Sequence, residues 1–499
     1  MAINKKKRVA LVNASSCLLL QLVTIISGFI IPRLILVYFG SEVNGLVSSL
    51  TKFLSYINIL EGGLTGVVIA SLYRPFVSGD NKKISSIVKT ASNFYKKISI
   101  IFLLFSIMLA IFYPILVNSS FSAEYIFWLT IILSSSSFVQ YCFTLSSRTI
   151  LSADKKVYIV SLTQSLFIVL SVIASYFSLV LYPDIHLFKA IPAAIFIIQP
   201  LIFNTYVGRK YQINKKAKID KGLLKQRWDG FALNIADFIH TNTDIVILTV
   251  FASLSDVSIY SVYALVISGL RSIMQSLSNG IRPSIGQLYA KGDICELQKK
   301  ISIYEHMIFF IVFTLFSVTA FLIIPFVGLY TSGINDANYY QPAFAIIIVI
   351  TEGIGLIRNA HLDLAYSANK FKEMKIPCFI EAGINIAISM LLIGQFGLIG
   401  IAIGTMVSTI FRTIYHVWFA KKLINRPQRA FYLKLLSFGI FGAIGIVICL
   451  IMIPFSSTSL IDIIVHSIVY LGIFGLLYFV NSVLFYKNEL KGIAEYIKK

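Results

Sequence analysis

The sequence is short of charged residues. Only 13% of its 499 residues are charged, against about 25% in an average soluble domain, whereas 57% are hydrophobic and the mean hydropathy is +0.83. This composition excludes a soluble globular protein. It predicts an integral membrane protein that crosses the bilayer many times, with α-helices as its spans.

Acidic residues are the scarcer of the two charge types. The chain has 22 Asp and Glu against 43 Lys and Arg, a formal net charge of +21. In a soluble chain this excess would suggest a nucleic-acid partner. In a membrane protein the positive-inside rule explains it, because cytoplasmic loops collect Lys and Arg. We therefore predict that the chain binds no nucleic acid.

Paired cysteines and the common catalytic motifs are also missing. The five cysteines include no C-x-x-C pair, and all but Cys295 lie in apolar runs, which is typical of packing residues. No G-x-x-x-x-G-K-[ST] or H-E-x-x-H motif occurs, so the chain does not hydrolyse a nucleotide by itself. We predict that it is not an enzyme, and that it has no metal site and no cofactor.

Long apolar windows, by contrast, are abundant. Windows of about 20 residues, enough to cross a bilayer, predict about fourteen helices. They cover roughly residues 9–31, 43–71, 98–117, 124–147, 157–181, 187–207, 228–251, 257–287, 303–330, 342–367, 376–394, 397–420, 432–453 and 460–485. The basic cluster Lys5–Arg8 resembles the start of a signal peptide, but no cleavage pattern follows, so we predict an uncleaved first span.

The basic residues alternate between successive gaps. Odd-numbered gaps contain almost none, with Lys189 as the clear exception, whereas the other gaps and both ends contain clusters such as Lys82–Lys83 and Lys421–Lys422. This alternation places both termini in the cytoplasm. No outer loop exceeds about a dozen residues, so no extracytoplasmic domain is predicted.

The two halves of the chain resemble each other. Three matches occur in order at an offset near 215 residues (367 − 152 = 215; 257 − 43 = 214): Glu42-Val43 with Asp256-Val257, Gly79-Asp80 with Gly292-Asp293, and Ser152-Ala153 with Ser367-Ala368. They predict two six-helix lobes related by a parallel repeat, with a cleft between them for a cargo. The predicted domains are an N-terminal lobe, 1–208, a basic cytoplasmic linker, 209–227, a C-terminal lobe, 228–425, and two extra helices with a cytoplasmic tail, 426–499.

One span carries a polar stripe. Within the window 257–287, Ser268, Arg271, Gln275, Ser278 and Arg282 recur at helical spacing. An arginine near the bilayer centre costs about 2.5–3.5 kcal/mol, so this face is predicted to line a polar cavity. Arg271 falls near mid-span. Arg282 lies about 16 Å further along the helix, near the headgroups, where snorkelling also explains it.

Other spans contribute ionisable residues to the same predicted cavity. A buried ion pair or an interfacial side chain explains any single one equally well, and residues near span ends, such as Arg148, Glu381 and Arg412, favour that interpretation. Charges in several spans of both halves, however, indicate a shared polar space. The acidic residues nearest mid-span are Glu61, Asp237, Asp244 and Glu352.

The sequence resembles the O-antigen type polysaccharide flippases of the multidrug/oligosaccharidyl-lipid/polysaccharide exporter superfamily. The resemblance covers nearly the whole chain. It rests on Pro32-Arg33, on the stretch 38–46, on Leu72-Tyr73-Arg74-Pro75, on the stretch 256–260, on Asn385-Ile386 and on the stretch 400–405. It implies twelve to fourteen helices in two lobes and alternating access in the bacterial cytoplasmic membrane. The implied cargo is an undecaprenyl-pyrophosphate-linked oligosaccharide, the unit of an O-antigen, capsule or exopolysaccharide.

The resemblance and the chemistry of this cargo assign roles to the candidates. Arginine pairs bidentately with phosphate oxygens, so the cargo-binding candidates are Arg271 with Gln275, Arg358, Arg412, Arg282 and Arg148. Carboxylates would couple transport to H⁺ or Na⁺, and the candidates are Asp237, Asp244, Glu61 and Glu352. Besides the cargo and membrane lipids, a polysaccharide polymerase and glycosyltransferases are the expected partners.

Three alternatives stay open. The first is a cation-coupled multidrug exporter of the same fold, which would favour an aromatic, acidic cavity. The second is a membrane glycosyltransferase or polymerase, although such proteins usually carry a large outer loop that is absent here. The third is a non-catalytic assembly subunit.

Overall fold

The computed structural model describes residues 2–61, 64–117, 119–214, 217–220, 228–368, 370–452 and 459–497. In these ranges the chain forms helices and no strand. The helices are α1 Ala2–Ser55, α2 Ile57–Glu61, α3 Leu64–Ser78, α4 Asn81–Leu116, α5 Ala123–Val139, α6 Leu145–Ala153, α7 Val157–Leu181, α8 Ile185–Lys210, α9 Trp228–Phe251, α10 Leu254–Lys291, α11 Ile294–Tyr330, α12 Pro342–Ile357, α13 Asn359–Ser367, α14 Phe371–Phe396, α15 Leu398–Ile424, α16 Arg429–Met452, α17 Leu460–Phe485 and α18 Lys487–Ile497. A π-helical segment, Gln140–Thr144, joins α5 to α6.

The surface of the described helices is largely apolar. Large aliphatic side chains point outward, among them Leu391, 76% exposed, and Ile451, 74% exposed. Exposing this much apolar surface to water is unfavourable, whereas the hydrocarbon core of a bilayer solvates it. Among the described residues, twelve helical segments are long and apolar enough to cross a membrane. The all-α, multi-pass prediction is therefore confirmed, and the count of fourteen stays a prediction.

The first of these twelve segments is long enough for more than one crossing. It runs from Leu11 to Ile59 over 49 residues, about 74 Å of helix, and it covers most of predicted window 9–31 and the start of window 43–71. Gly40 interrupts it with φ 84° and ψ 179°. Glycine adopts this conformation without the steric cost that a side chain would add, so the chain bends here between two apolar windows.

The chain divides into two compact units. The first consists of Met1–Phe238 and Leu248–Ser258. Its core contains a chain of buried hydroxyl groups, in which Tyr113 donates to Ser49 at 2.8 Å and the Ser49 and Thr249 hydroxyls lie 2.7 Å apart. Gly45 has no side chain where the backbone carbonyl of Leu254 passes, and a Cβ at this position would collide with that carbonyl. Glycine is therefore required there by close packing.

The second unit consists of Ile239–Ile247 and Ile259–Lys499. Within it, Gly404 of α15 lets α14 approach closely, because a Cβ there would lie 2.9 Å from the backbone nitrogen of Ser389. An aromatic layer joins α11, α16 and α17 through Phe313, Phe438 and Tyr478, with ring centroids 5.3 to 5.8 Å apart. These contacts hold α16 and α17 against α11.

The matched stretches of the two halves share one turn structure. Gly79 and Gly292 both have positive φ, 69° and 75°. The next residues, Asp80 and Asp293, cap the helices that follow by accepting from the backbone N–H three residues on, at 2.9 and 3.0 Å. The capped helices are α4 and α11, of 36 and 37 residues.

The described part of the predicted linker lies along the start of α4. Asp220 accepts from Lys83 at 2.9 Å, and the Ser86 hydroxyl donates to the Lys218 carbonyl at 2.6 Å. At the end of α8, Tyr211 donates to Asp154 at 2.5 Å. Burial is the larger cause, and this hydrogen bond the next, of a rise in the pKa of Tyr211 to about 12. The phenol is therefore protonated and can donate at neutral pH. Residues 215, 216 and 221–227 lie outside the described part of the chain.

Candidate functional site

Arg271 and Glu352 form an ion pair on the second unit. The Arg271 guanidinium on α10 donates to the Glu352 carboxylate on α12. The arginine side chain is 45% exposed and the glutamate 18% exposed. The structure thus keeps the mid-span arginine accessible while a carboxylate offsets its charge. Gln275, one turn further along α10, is exposed as well.

Arg282, at the far end of the same stripe, is held in place. Its guanidinium donates to Asp363, a fully buried carboxylate that also accepts from Tyr304 at 2.6 Å. The guanidinium also lies over the Tyr366 ring, 5.4 Å from its centroid. These contacts give Arg282 a structural role in addition to its candidate role in cargo binding.

Arg358 and Arg412 share one acidic partner. Arg358 donates to Glu381 at 3.0 Å, and Arg412 donates to the other oxygen of the same carboxylate. Glu381 is fully buried and Arg412 is only 1% exposed, so Arg412 has no surface to offer a cargo in this conformation. The arrangement is a buried ion cluster in which two arginines share one carboxylate. The Nε of Arg358 is buried there without a hydrogen-bond partner.

Asp244 lies in a buried polar group. It is 5% exposed and accepts from Tyr260 and Thr405 at 2.9 Å and from the Asn385 amide at 3.3 Å. The amide oxygen of Asn385 and the hydroxyl of Ser389, one turn further along α14, are both buried without a hydrogen-bond partner. A carboxylate beside unsatisfied neutral oxygens is the ligand chemistry of a hard cation.

Glu61 and Arg148 belong to the first unit. Glu61 accepts from the hydroxyls of Thr65 and Tyr141, the latter at 3.4 Å. Arg148 donates to Gln164 at 3.1 Å. Both side chains are half-buried. The side chain of Asp237 lies outside the described part of the structure.

A buried ion cluster around Glu305 is not predictable from the sequence. The Glu305 carboxylate is fully buried and accepts from Arg426 through two bonds of 2.5 and 2.8 Å, from Lys434 at 3.0 Å, and lies 3.1 Å from the His361 ring. The only signal in the sequence was the glutamate itself at the start of an apolar window. Its partners are up to 129 residues away, so helical periodicity could not find them.

No group of three or more His, Cys, Asp or Glu in the described residues could hold a metal ion. The Asp244 group has one carboxylate, so its chemistry suits a monovalent cation or a proton. Among the cargo-binding candidates, Arg271 and Gln275 are exposed, whereas Arg282, Arg358 and Arg412 form ion pairs with buried carboxylates. Arg148 is half-buried beside Gln164.

Known structures share this architecture. The chain is similar to the lipid II flippase MurJ in an inward closed conformation, with 14% identity and a TM-score of 0.72 over 96% of this chain and 100% of that one. It is also similar to an inward-facing multidrug resistance MATE family transporter of the MOP superfamily, with 14% identity and a TM-score of 0.63 over 83% of this chain and 98% of that one. For the Vibrio cholerae MATE transporter VcmN, in a mutant form, identity is 13% and the TM-score is 0.58 over 85% and 98%.

No protein-family model matches the chain, and no curated protein matches it by sequence. At identities of 13–14% the likeness establishes a shared fold. The chain is therefore a multi-pass membrane protein with the fold of these flippases and exporters. The resemblance to this exporter superfamily is confirmed at the level of the fold.

Proposed function

We propose that this protein is a flippase that moves an undecaprenyl-pyrophosphate-linked oligosaccharide across the bacterial cytoplasmic membrane. The observation that carries the proposal is the accessible Arg271–Glu352 ion pair between two membrane-spanning helices of the second unit. A guanidinium there meets an anionic headgroup with up to five donors, and the lipid tail stays in the bilayer. The MurJ-like fold supports the same cargo class.

The architecture in this proposal is the one predicted from the sequence. Fourteen spans form two six-helix lobes and an added helix pair, both termini are cytoplasmic, and the lobes rock to give alternating access. A polysaccharide polymerase and glycosyltransferases act beside the flippase. In this proposal the polymerase and the glycosyltransferases, and not the flippase, catalyse the reactions of the glycan.

Deletion of the gene tests the proposal. In the deletion strain we expect loss of one surface polysaccharide and accumulation of its lipid-linked unit, measured by blotting of surface glycans and by mass spectrometry of lipid extracts. Drug susceptibility should stay within twofold of the parent strain. The opposite pattern, normal polysaccharide with drug hypersensitivity, would favour the multidrug exporter, whose fold the MATE likeness shares.

Ion coupling belongs to the Asp244 group in this proposal. The buried carboxylate, the Thr405 hydroxyl and the unsatisfied amide oxygen of Asn385 would hold Na⁺ or a proton. In purified protein we expect Na⁺ to raise the melting temperature relative to K⁺. In Asp244→Asn the Na⁺ concentration for half of that effect should rise at least about tenfold, because affinity depends on the number of charged ligands.

The control for this measurement is Asp336→Asn, which removes a charge from an exposed loop residue. It should respond to Na⁺ as the unmodified protein does. The coupling ion would be H⁺ if two results are found together. Na⁺ does not change the melting temperature of the unmodified protein, and transport by the Asp244→Asn variant no longer responds to a pH gradient. If Asp244→Asn and Asp336→Asn respond equally to Na⁺ and to a pH gradient, Asp244 is not the coupling group.

A further inference from the structure

Lys189 is a charged residue that the proposed function leaves without a role. It is the clear exception to the alternation of basic loops, and it lies four residues inside α8, about 6 Å from the helix start at Ile185. Its ammonium lies 5.2 Å from the centroid of the Phe188 ring. In the described part of the chain the ammonium has no ion-pair partner. A lysine within the bilayer is costly unless an anion or water compensates its charge.

A cavity in the first unit lies against this lysine. Its volume is about 230 Å³, and the residues that line it come from α1, α7 and α8. Most of its wall is apolar, formed by side chains such as those of Ile31, Val172 and Phe196. Lys189 is the one charged residue in the lining, and the other polar residues are three serines, Ser27, Ser171 and Ser175.

Ser171 gives an independent sign that the cavity takes a ligand. The residue is 6% exposed, and its hydroxyl is buried without a hydrogen-bond partner. The hydroxyls of Ser27 and Ser175, by contrast, donate to backbone carbonyls, at 3.0 and 3.5 Å. An unsatisfied buried hydroxyl costs free energy unless a ligand or water completes it. The cavity thus pairs an uncompensated cation with an unused hydrogen-bond donor.

The size of the cavity limits what it can hold. At about 230 Å³ it lies below the roughly 300–1,000 Å³ of pockets that enclose whole small-molecule ligands. It is far larger than one water, which takes up about 30 Å³. An oligosaccharide is excluded, whereas a phosphate or pyrophosphate group is small enough. Such an anion would take charge-assisted hydrogen bonds from the lysine and the serine.

We propose that Lys189 and Ser171 form a binding site for the phosphate headgroup of a membrane lipid. The proposal rests on the proposed function, in which the cargo is a lipid pyrophosphate, and it adds a second anion contact to Arg271. Lys189 lies near the outer end of its span in the predicted topology. The site would therefore receive the headgroup on the outer side, after the glycan has crossed.

Binding of three probes to the purified full-length protein tests the site. The probes are farnesyl pyrophosphate, inorganic pyrophosphate and phosphatidylglycerol, measured by native mass spectrometry and by equilibrium titration. We expect farnesyl pyrophosphate to bind, Lys189→Met to weaken it at least about tenfold, and Lys189→Arg to keep it within about threefold. Stronger binding of inorganic pyrophosphate than of either lipid would identify a soluble anion as the ligand and overturn the lipid assignment.

Two serines of α7 provide a matched pair of neutral variants. Ser171→Ala removes the unused hydroxyl and should weaken farnesyl pyrophosphate several-fold. Ser178→Ala removes a buried hydroxyl that already donates to the Ser175 carbonyl at 2.7 Å and lines a different, apolar groove, so binding should not change. Equal loss in both variants would mean that the helix, and not the site, had been damaged.

The failure of this site can be told apart from failure of the proposed function. If Lys189→Met binds farnesyl pyrophosphate normally while Arg271→Ala does not, the lysine is an interfacial anchor and the flippase proposal stands. If the unmodified protein binds no lipid pyrophosphate and its deletion leaves surface polysaccharide intact, both proposals fall together.

Discussion

Arg271→Ala is expected to abolish surface polysaccharide while the amount of protein in the membrane stays normal. The side chain is 45% exposed, so its removal leaves no cavity in the core and little change in stability. What it removes is a fork of donors for phosphate, worth about 1.5–3 kcal/mol for each charge-assisted bond. Two such bonds correspond to a loss of about 10²–10⁴ in affinity.

The measurement is surface glycan in a deletion strain that carries each variant, with membrane protein quantified on the same samples. Arg271→Lys keeps the charge without the planar fork, so partial export is expected. Arg209→Ala, which removes an exposed arginine at the end of α8, should export normally. Normal polysaccharide in Arg271→Ala would remove this residue from the cargo site.

The second large effect is expected at Glu305. Glu305→Gln keeps the shape of the side chain but removes the negative charge that offsets Arg426 and Lys434 in a fully buried cluster. A buried charge left without its partner costs about 3–5 kcal/mol. We expect the free energy of unfolding in detergent to fall by about that amount, with less folded protein in the membrane.

Thermal unfolding of the purified variants, followed by size-exclusion chromatography, measures this effect. Glu296→Gln is the matched control, because this glutamate lies on the same helix and is exposed. Its change should stay within about 0.5 kcal/mol. If Glu305→Gln melts with the unmodified protein, the cluster does not stabilise the fold. Normal export by Glu305→Gln, compared at equal amounts of membrane protein, would show that the cluster acts through stability alone.

Only one of these two residues can be recognised as a candidate from the sequence. Arg271 is a candidate because its helical spacing to Gln275 and Arg282 defines one face of a span. Glu305 was not a candidate, since its partners belong to a distant loop and to two other helices. Neighbouring positions on one helix are readable from spacing, whereas contacts between helices are not.

The residues grouped from the sequence as cargo contacts prove to be physically different. Arg271 is accessible beside a partly exposed glutamate, whereas Arg412 is buried against Glu381 and the Cys378 sulfur. Each falls on a polar face of its own helix. Burial depends on which helix covers that face, and this is decided by packing among segments far apart in the chain.

The membrane environment of this protein can be predicted from its sequence alone. The same holds for the helical form and approximate position of its spans, and for the small set of charged residues within them. Apolar length and charge content are local properties, so they need no knowledge of the fold. Which of those charges are compensated depends on the packing of the helices. Arg358 and Arg412 share the carboxylate of Glu381, and the Thr405 hydroxyl donates to Asp244. Lys189 lines a cavity. The free energy of a buried charge depends on its partners, and partners are chosen by packing.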